Sequence, residues 1–110
     1  MGYTINQKSG SLTPIAGSPF AAGEYPYALA VDPKSHLAYV ANAGSGDVYT
    51  FSIDSLSGAL TQIGTPVAAG TRPISVAISP NGQFVYTANT GSSDVSVFSI
   101  NPDGSLSSIA

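Results

Sequence analysis

The sequence predicts an all-β protein built from repeated four-stranded antiparallel units. Three observations point there. Nearly the same words recur about 47 residues apart; short apolar runs alternate with Gly, Pro, Asn and Ser punctuation; and no segment carries a helical period. Ala21-Ala22-Gly23 with Pro26 returns as Ala68-Ala69-Gly70 with Pro73. Gly44, Ser45, Asp47, Val48, Phe51, Ser52 and Ile53 return as Gly91, Ser92, Asp94, Val95, Phe98, Ser99 and Ile100.

Each unit divides into four strands. The first strands are Tyr27 to Val31 and Ile74 to Ile78, bracketed by prolines, which cannot donate to a ladder and so mark strand ends. A turn follows. Pro80-Asn81-Gly82-Gln83 suits positive φ at Asn or Gly, whereas Pro33-Lys34-Ser35-His36 lacks the glycine and calls for a different turn. The second strands are Leu37 to Ala41 and Phe84 to Ala88; Gly/Ser loops lead to the third, Val48 to Ile53 and Val95 to Ile100. The fourth are weaker: Ala59 to Ile63 and Leu106 to Ile109. At the N-terminus, Tyr3-Thr4-Ile5 and Ser11-Leu12-Thr13-Pro14-Ile15 repeat only the outer part of a unit. The boundaries expected are therefore 1–20, a partial preceding unit; 21–67, the first full unit; and 68–110, the second.

Four antiparallel strands per repeat, joined by hairpin-length links, is the anatomy of a β-propeller blade. Alternation agrees: Ala28 and Ala30 oppose Tyr27, Leu29 and Val31, so both faces are apolar or small, as in a sheet packed between two others. Two blades cannot bury their own outer faces. The charged share of 8%, against roughly 25% in ordinary soluble domains, also suggests that much surface is covered. The expected partners are copies of the same chain, three or four joined head to tail to complete the propeller. The duplicated N-terminal outer strands would serve as a clasp between copies, so that deleting residues 2–20 weakens assembly.

Charge and composition exclude other classes. A net charge of −3 with Lys8, Lys34 and Arg72 scattered leaves no basic patch for nucleic acid. No apolar run reaches membrane-spanning length, and the start, Met1-Gly2-Tyr3-Thr4, has no leader pattern and reads as the middle of a repeat. With no cysteine, thiolate chemistry and disulfides are excluded; no metal site or cofactor is implied.

Candidate chemistry is sparse. His36, the only histidine, lies in a turn without a local nucleophile or carboxylate and reads as an exposed turn residue. Asp47 and Asp94 repeat at one position, which favours a structural role in which the carboxylates accept loop N–H groups; Asn42 and Asn89 read the same way. Glu24, Tyr25 and Arg72 break the repeat, in the loops that enter the innermost strands at one mouth of a propeller channel. Arg72 there suits a phosphate or carboxylate ligand; the alternative is an ion pair between Arg72 and Glu24. These three are the candidate ligand-binding residues, and no catalytic set is identified. No serine has the nucleophile-elbow context.

The words Leu12-Thr13-Pro14, Gly17-Ser18-Pro19-Phe20, Tyr39-Val40-Ala41-Asn42 and Asp47-Val48-Tyr49-Thr50-Phe51-Ser52-Ile53 resemble the YVTN family of β-propeller repeats, shared with the lactonase family that includes 6-phosphogluconolactonase-type enzymes. Ser79-Pro80-Asn81-Gly82-Gln83-Phe84-Val85-Tyr86-Thr87-Ala88-Asn89 carries the second copy, with Thr87 in place of the usual valine; Ser35-His36 replaces the usual glycine and basic residue. The resemblance covers nearly the whole chain. It implies relatives that are single chains of seven blades and, as an alternative function, a hydrolase of sugar lactones at the central mouth; a carbohydrate- or surface-binding module that uses Tyr25 is a third possibility.

Overall fold

Alternating side-chain direction along each strand sorts this sequence into two faces per sheet, and the fold follows from covering them. The computed structural model describes residues 2–109. Its strands are β1 (Tyr3–Ile5), β2 (Leu12–Pro14), β3 (Pro26–Asp32), β4 (Leu37–Asn42), β5 (Asp47–Ile53), β6 (Leu60–Ala68), β7 (Pro73–Ile78), β8 (Phe84–Asn89), β9 (Asp94–Ile100) and β10 (Leu106–Ser108). β3-β4-β5-β6 and β7-β8-β9-β10 form two four-stranded antiparallel sheets, and β1-β2 is a separate hairpin. These are two blades preceded by the outer pair of another.

The blades have the same register 47 residues apart. Ala30 faces Tyr39 as Ala77 faces Tyr86, and Asn42 faces Asp47 as Asn89 faces Asp94. Each innermost strand carries one irregularity, at Pro26/Ala28 and Pro73/Ser75. Pro26 and Pro73 do not merely precede these strands; each is its first residue, a position a proline tolerates. β6 is longer than its composition suggests, because Val48 pairs with Val67 and Thr50 with Ile63, leaving Gly64, Thr65 and Pro66 bulged opposite Tyr49. An edge strand accommodates both the bulge and the proline. The two inner turns differ as the missing glycine implied. Gly82 takes the positive φ (71°) in one, and His36 (φ 54°) takes it in the other.

The main core lies between the blades. Leu37, Tyr39, Ala41 and Val48 of the first sheet pack on Val76, Val85, Phe98 and Leu106 of the second, with Ala28 and Ala30 of β3 against them. The small alanines let β3 and β7 approach closely where blades converge. A second cluster, Ala38, Val40 and Phe51, occupies the opposite face of the first sheet, under Ala22, Ile53 and Leu60. The face of the first blade toward β1-β2 is the leading face; the face of the second blade turned away from the first is the trailing face.

Candidate functional site

The loops entering β3 and β7 carry Glu24, Tyr25 and Arg72, and a repeated polar network holds them. Asp47 accepts from Asn42 Nδ2 (2.9 Å) and from Ser45 Oγ (3.0 Å). Asn42 Oδ1 and Ser45 Oγ in turn accept the backbone N–H groups of Gly23 (3.2 Å) and Glu24 (3.1 Å). In the second blade Asp94 accepts from Asn89 Nδ2 (2.9 Å) and Ser92 Oγ (2.7 Å), and Ser92 Oγ accepts the N–H of Thr71 (3.0 Å). The carboxylates therefore act one bond removed from the loop N–H groups: they orient the groups that accept from them, Asn42 and Ser45 in the first blade and Ser92 in the second. Asn89 and Ser92, the stronger donor first, hold the Asp94 carboxyl below the usual carboxylate range. Asn42 and Asn89 are fully buried with their amides satisfied, as a buried amide must be.

Close approach explains the glycines. A Cβ on Gly23 would stand 2.6 Å from Ser45 Oγ, and one on Gly70 2.5 Å from Ser92 Oγ. The loops also hold strain. Tyr25 (φ 49°) and Arg72 (φ 55°) occupy the left-handed region, which costs a non-glycine residue on the order of 1–3 kcal/mol. Their carbonyls are tied in return: Ala43 N–H donates to Tyr25 O (2.8 Å) and Thr90 N–H to Arg72 O (3.0 Å). Two equivalent bonds, Gly44 to Glu24 (2.9 Å) and Gly91 to Thr71 (2.8 Å), complete the clamp. Tyr25 and Arg72, repeat-equivalent and adjacent to Pro26 and Pro73, are thus presented at the same end of neighbouring sheets, both exposed. The Tyr25 ring lies over Gly44.

The structure brings Glu24 and Tyr25 together and sets Arg72 in the next blade's loop. Among the described residues no ion pair joins Arg72 to Glu24, which leaves the guanidinium and the carboxylate open to solvent. His36 is exposed in its turn at the opposite end of the strands. No group of three or more His, Asp or Glu side chains is placed to hold a metal among the described residues. Sequence reasoning missed two features. Asp32 is buried at the end of β3, and the buried Tyr39 hydroxyl donates to Gly104 O (3.2 Å) across the blade interface. Burial, reinforced by Asp32, pushes the Tyr39 hydroxyl up to about 12. Only the repeat-breaking change from Asp32 to Ser79 hinted at the first, and nothing local hinted at the second.

The profile of the family described as lactonase, seven-bladed β-propeller, matches residues 1–109. The chain belongs to this family. Solved structures carry the same fold. A candidate 6-phosphogluconolactonase of Bacteroides fragilis superposes with a TM-score of 0.84 at 23% identity over 97% of this chain and 31% of that one. A protein of unknown function from Desulfotomaculum acetoxidans gives 0.80 at 23% over 98% and 33%. The periplasmic gluconolactonase of Pseudomonas aeruginosa gives 0.78 at 26% over 98% and 32%. No curated protein matches the sequence. This lactonase-family chain thus spans about a third of the solved chains it matches.

Proposed function

We propose that the chain is a self-associating propeller module, a scaffold that completes a ring by head-to-tail contact between copies and performs no catalysis of its own. One observation carries this reading: repeat-equivalent positions exchange burial between the blades. On the trailing faces, Tyr39 and Val48 are 0% exposed, but their counterparts Tyr86 and Val95 are 38% and 59% exposed. On the leading faces the order inverts. Leu29 is 56% exposed where its counterpart Val76 is 9% exposed, and Pro26 is exposed where Pro73 is buried. The surface the first blade offers the second is offered again by the second blade to solvent. The inner part of the surface the second blade uses to receive it, at Pro26 and Leu29 of the first, is also open.

Apolar area of this kind is worth about 25 cal/mol per Å2 when removed from water, and exposed contiguous patches mark interaction sites. A heterologous contact closes into a ring when its rotation permits. Three or four copies supply six or eight blades, within the propeller range of about 4–8. The test is native mass against concentration. Assembly is expected for the intact chain, and Val95→Lys on the trailing face should abolish it. A cooperatively folded single polypeptide at every concentration would remove the proposal.

A second reading has the family membership and the exposed Glu24, Tyr25 and Arg72 of the two entry loops in its favour: hydrolysis of a sugar-derived lactone at the channel mouth. There Arg72 would hold an anionic group of the substrate while water opens the ester to a hydroxy acid. It requires gluconolactone hydrolysis that both Arg72→Ala and Glu24→Ala abolish. Binding of glycans that depends on Tyr25, without hydrolysis, would support the carbohydrate-binding alternative.

A further inference from the structure

The leading face of the first blade is half covered, and the missing half has a definite shape. β1-β2 repeats the outer hairpin of a blade down to its turn. Asn6 N–H donates to Ser11 O (2.8 Å) and Gly10 N–H to Asn6 O (2.8 Å); Asp54 with Ala59 (2.9 Å) and Gly58 (2.8 Å) do the same, and Asn101 with Ser105 (2.8 Å) and Gly104 (2.9 Å) make the same bonds across a turn one residue shorter. The hairpin also stands on the first blade as the first blade's outer strands stand on the second. Ile15 Cδ1 lies 2.9 Å from the place a Cβ on Gly58 would take, and Ile63 Cδ1 lies 3.5 Å from that place on Gly104.

The inner half differs. Gly104 is buried because Leu37 covers it (2.8 Å from its Cβ place) and Tyr39 Oη donates to its carbonyl at 3.2 Å. At Gly58 no other described residue comes as close as Ile15, and the glycine is only half-buried. Beside it runs an apolar groove of about 470 Å3 between Phe20 and Gly2 on one side and Leu29, Val40 and Phe51 on the other. The repeat counterparts of Leu37 and Tyr39 are Phe84 and Tyr86 of β8, on the trailing face, which no other described residues cover as a blade.

We infer that this groove is the docking site for β7-β8 of a second copy, with Phe84 over Gly58 and the Tyr86 hydroxyl donating to the Gly58 carbonyl. The inference rests on the head-to-tail reading above. It has a consequence for residues 2–20. The incoming copy's β9-β10 occupies the place where β1-β2 stands, so one hairpin must yield. β9 is held to β8 by six paired residues, whereas every strand residue of β1 and β2 is exposed. The N-terminal hairpin yields: it is a detachable cover over the site, and not the clasp its duplication suggested.

Sedimentation equilibrium on the intact chain and single variants decides this. Tyr86→Phe is expected to raise the dissociation constant about three- to tenfold, the loss of one hydrogen bond at an interface. Deleting residues 2–20 should lower it, by up to the inverse of the fraction of chains whose cover is already off. The deletion also removes Gly2 and Phe20 from the groove that Phe51 and Val40 line, so Ile15→Ser, which only loosens the cover from Gly58, is made beside it with the same expected direction. If Tyr86→Phe leaves the constant unchanged while Val95→Lys abolishes association, the copies associate but not through this joint. If the deletion and Ile15→Ser both weaken association, the hairpin is a clasp and the cover is overturned. A monomeric intact chain overturns the head-to-tail reading itself.

Discussion

Single residues set the loop mouths by contact distance. Gly70 lies where any side chain would collide with Ser92 Oγ, which accepts the Thr71 N–H of the β7 entry loop, and with Asn89 Nδ2, which donates to Asp94. Gly70→Ala is therefore expected to cost about 1–3 kcal/mol, as overpacked sites do, and a thermal melt against the parent chain measures it. Tyr39 is the other sensitive point. Its hydroxyl titrates near 12 in the fold against 10 in an open chain, because burial and then Asp32 disfavour the phenolate. The folded state thus holds this proton more tightly. The stability it contributes is complete below pH 10 and disappears as pH climbs toward 12. Tyr39→Phe should remove that alkaline dependence, read as denaturant midpoint against pH, while losing the bond to Gly104.

At the level of strands and turns, one hairpin turn appears twice with different anchors, at Asn6–Gly10 and at Asp54–Gly58. Asp54 Oδ1 accepts the N–H groups of Leu56 (2.9 Å) and Ser57 (2.9 Å), as Asn6 Oδ1 accepts those of Lys8 (2.9 Å) and Ser9 (3.0 Å). The same geometry from a carboxylate and from an amide shows that an acceptor oxygen suffices. Asp54→Asn should leave the melting temperature close to that of the parent at neutral pH, and Asp54→Ala should lower it. The Ser57 and Leu56 amides hold the Asp54 carboxyl below its usual value. The unfolded chain therefore binds more protons in acid, and the turn's contribution is lost as pH falls through the folded-state value. The asparagine variant should lack that acid dependence. β6 shows an element escaping its local signals: Pro66 reads as a break, yet the strand continues to Ala68 by bulging residues 64–66 outward.

For the molecule as a whole, the balance lies in its faces. The blades bury one face of each on the other, leaving the trailing face of the second open and the leading face of the first half covered, with scarcely any charge on either. Association driven by such faces should be insensitive to added NaCl, because among the described residues no ion pair lies on them to be screened, and should strengthen in sulfate. Mass measured across a salt series checks this; dissociation by NaCl would mean that contacts through the few charges hold the copies together. The family's ring has seven blades. Two blades per copy reach six or eight, so the measured copy number also reports how far the blade-to-blade angle bends from that of the relatives.

Strand identity, blade period and family were readable from the sequence because each depends on local pattern: alternation, turn residues and words repeated 47 residues apart. The loop network was half readable. Asp47 and Asp94 announced a structural role by repetition, but Ser45 and Ser92 as the relays came only with geometry, since a serine in a Gly/Ser loop has no distinctive spacing. Which face of each blade is covered, the burial of Asp32, and the bond from Tyr39 to a carbonyl 65 residues away were decided by tertiary structure alone. Equivalent residues such as Tyr39 and Tyr86 have the same local sequence and opposite surroundings. What separates them is whether another sheet lies within contact distance, and no local pattern encodes that.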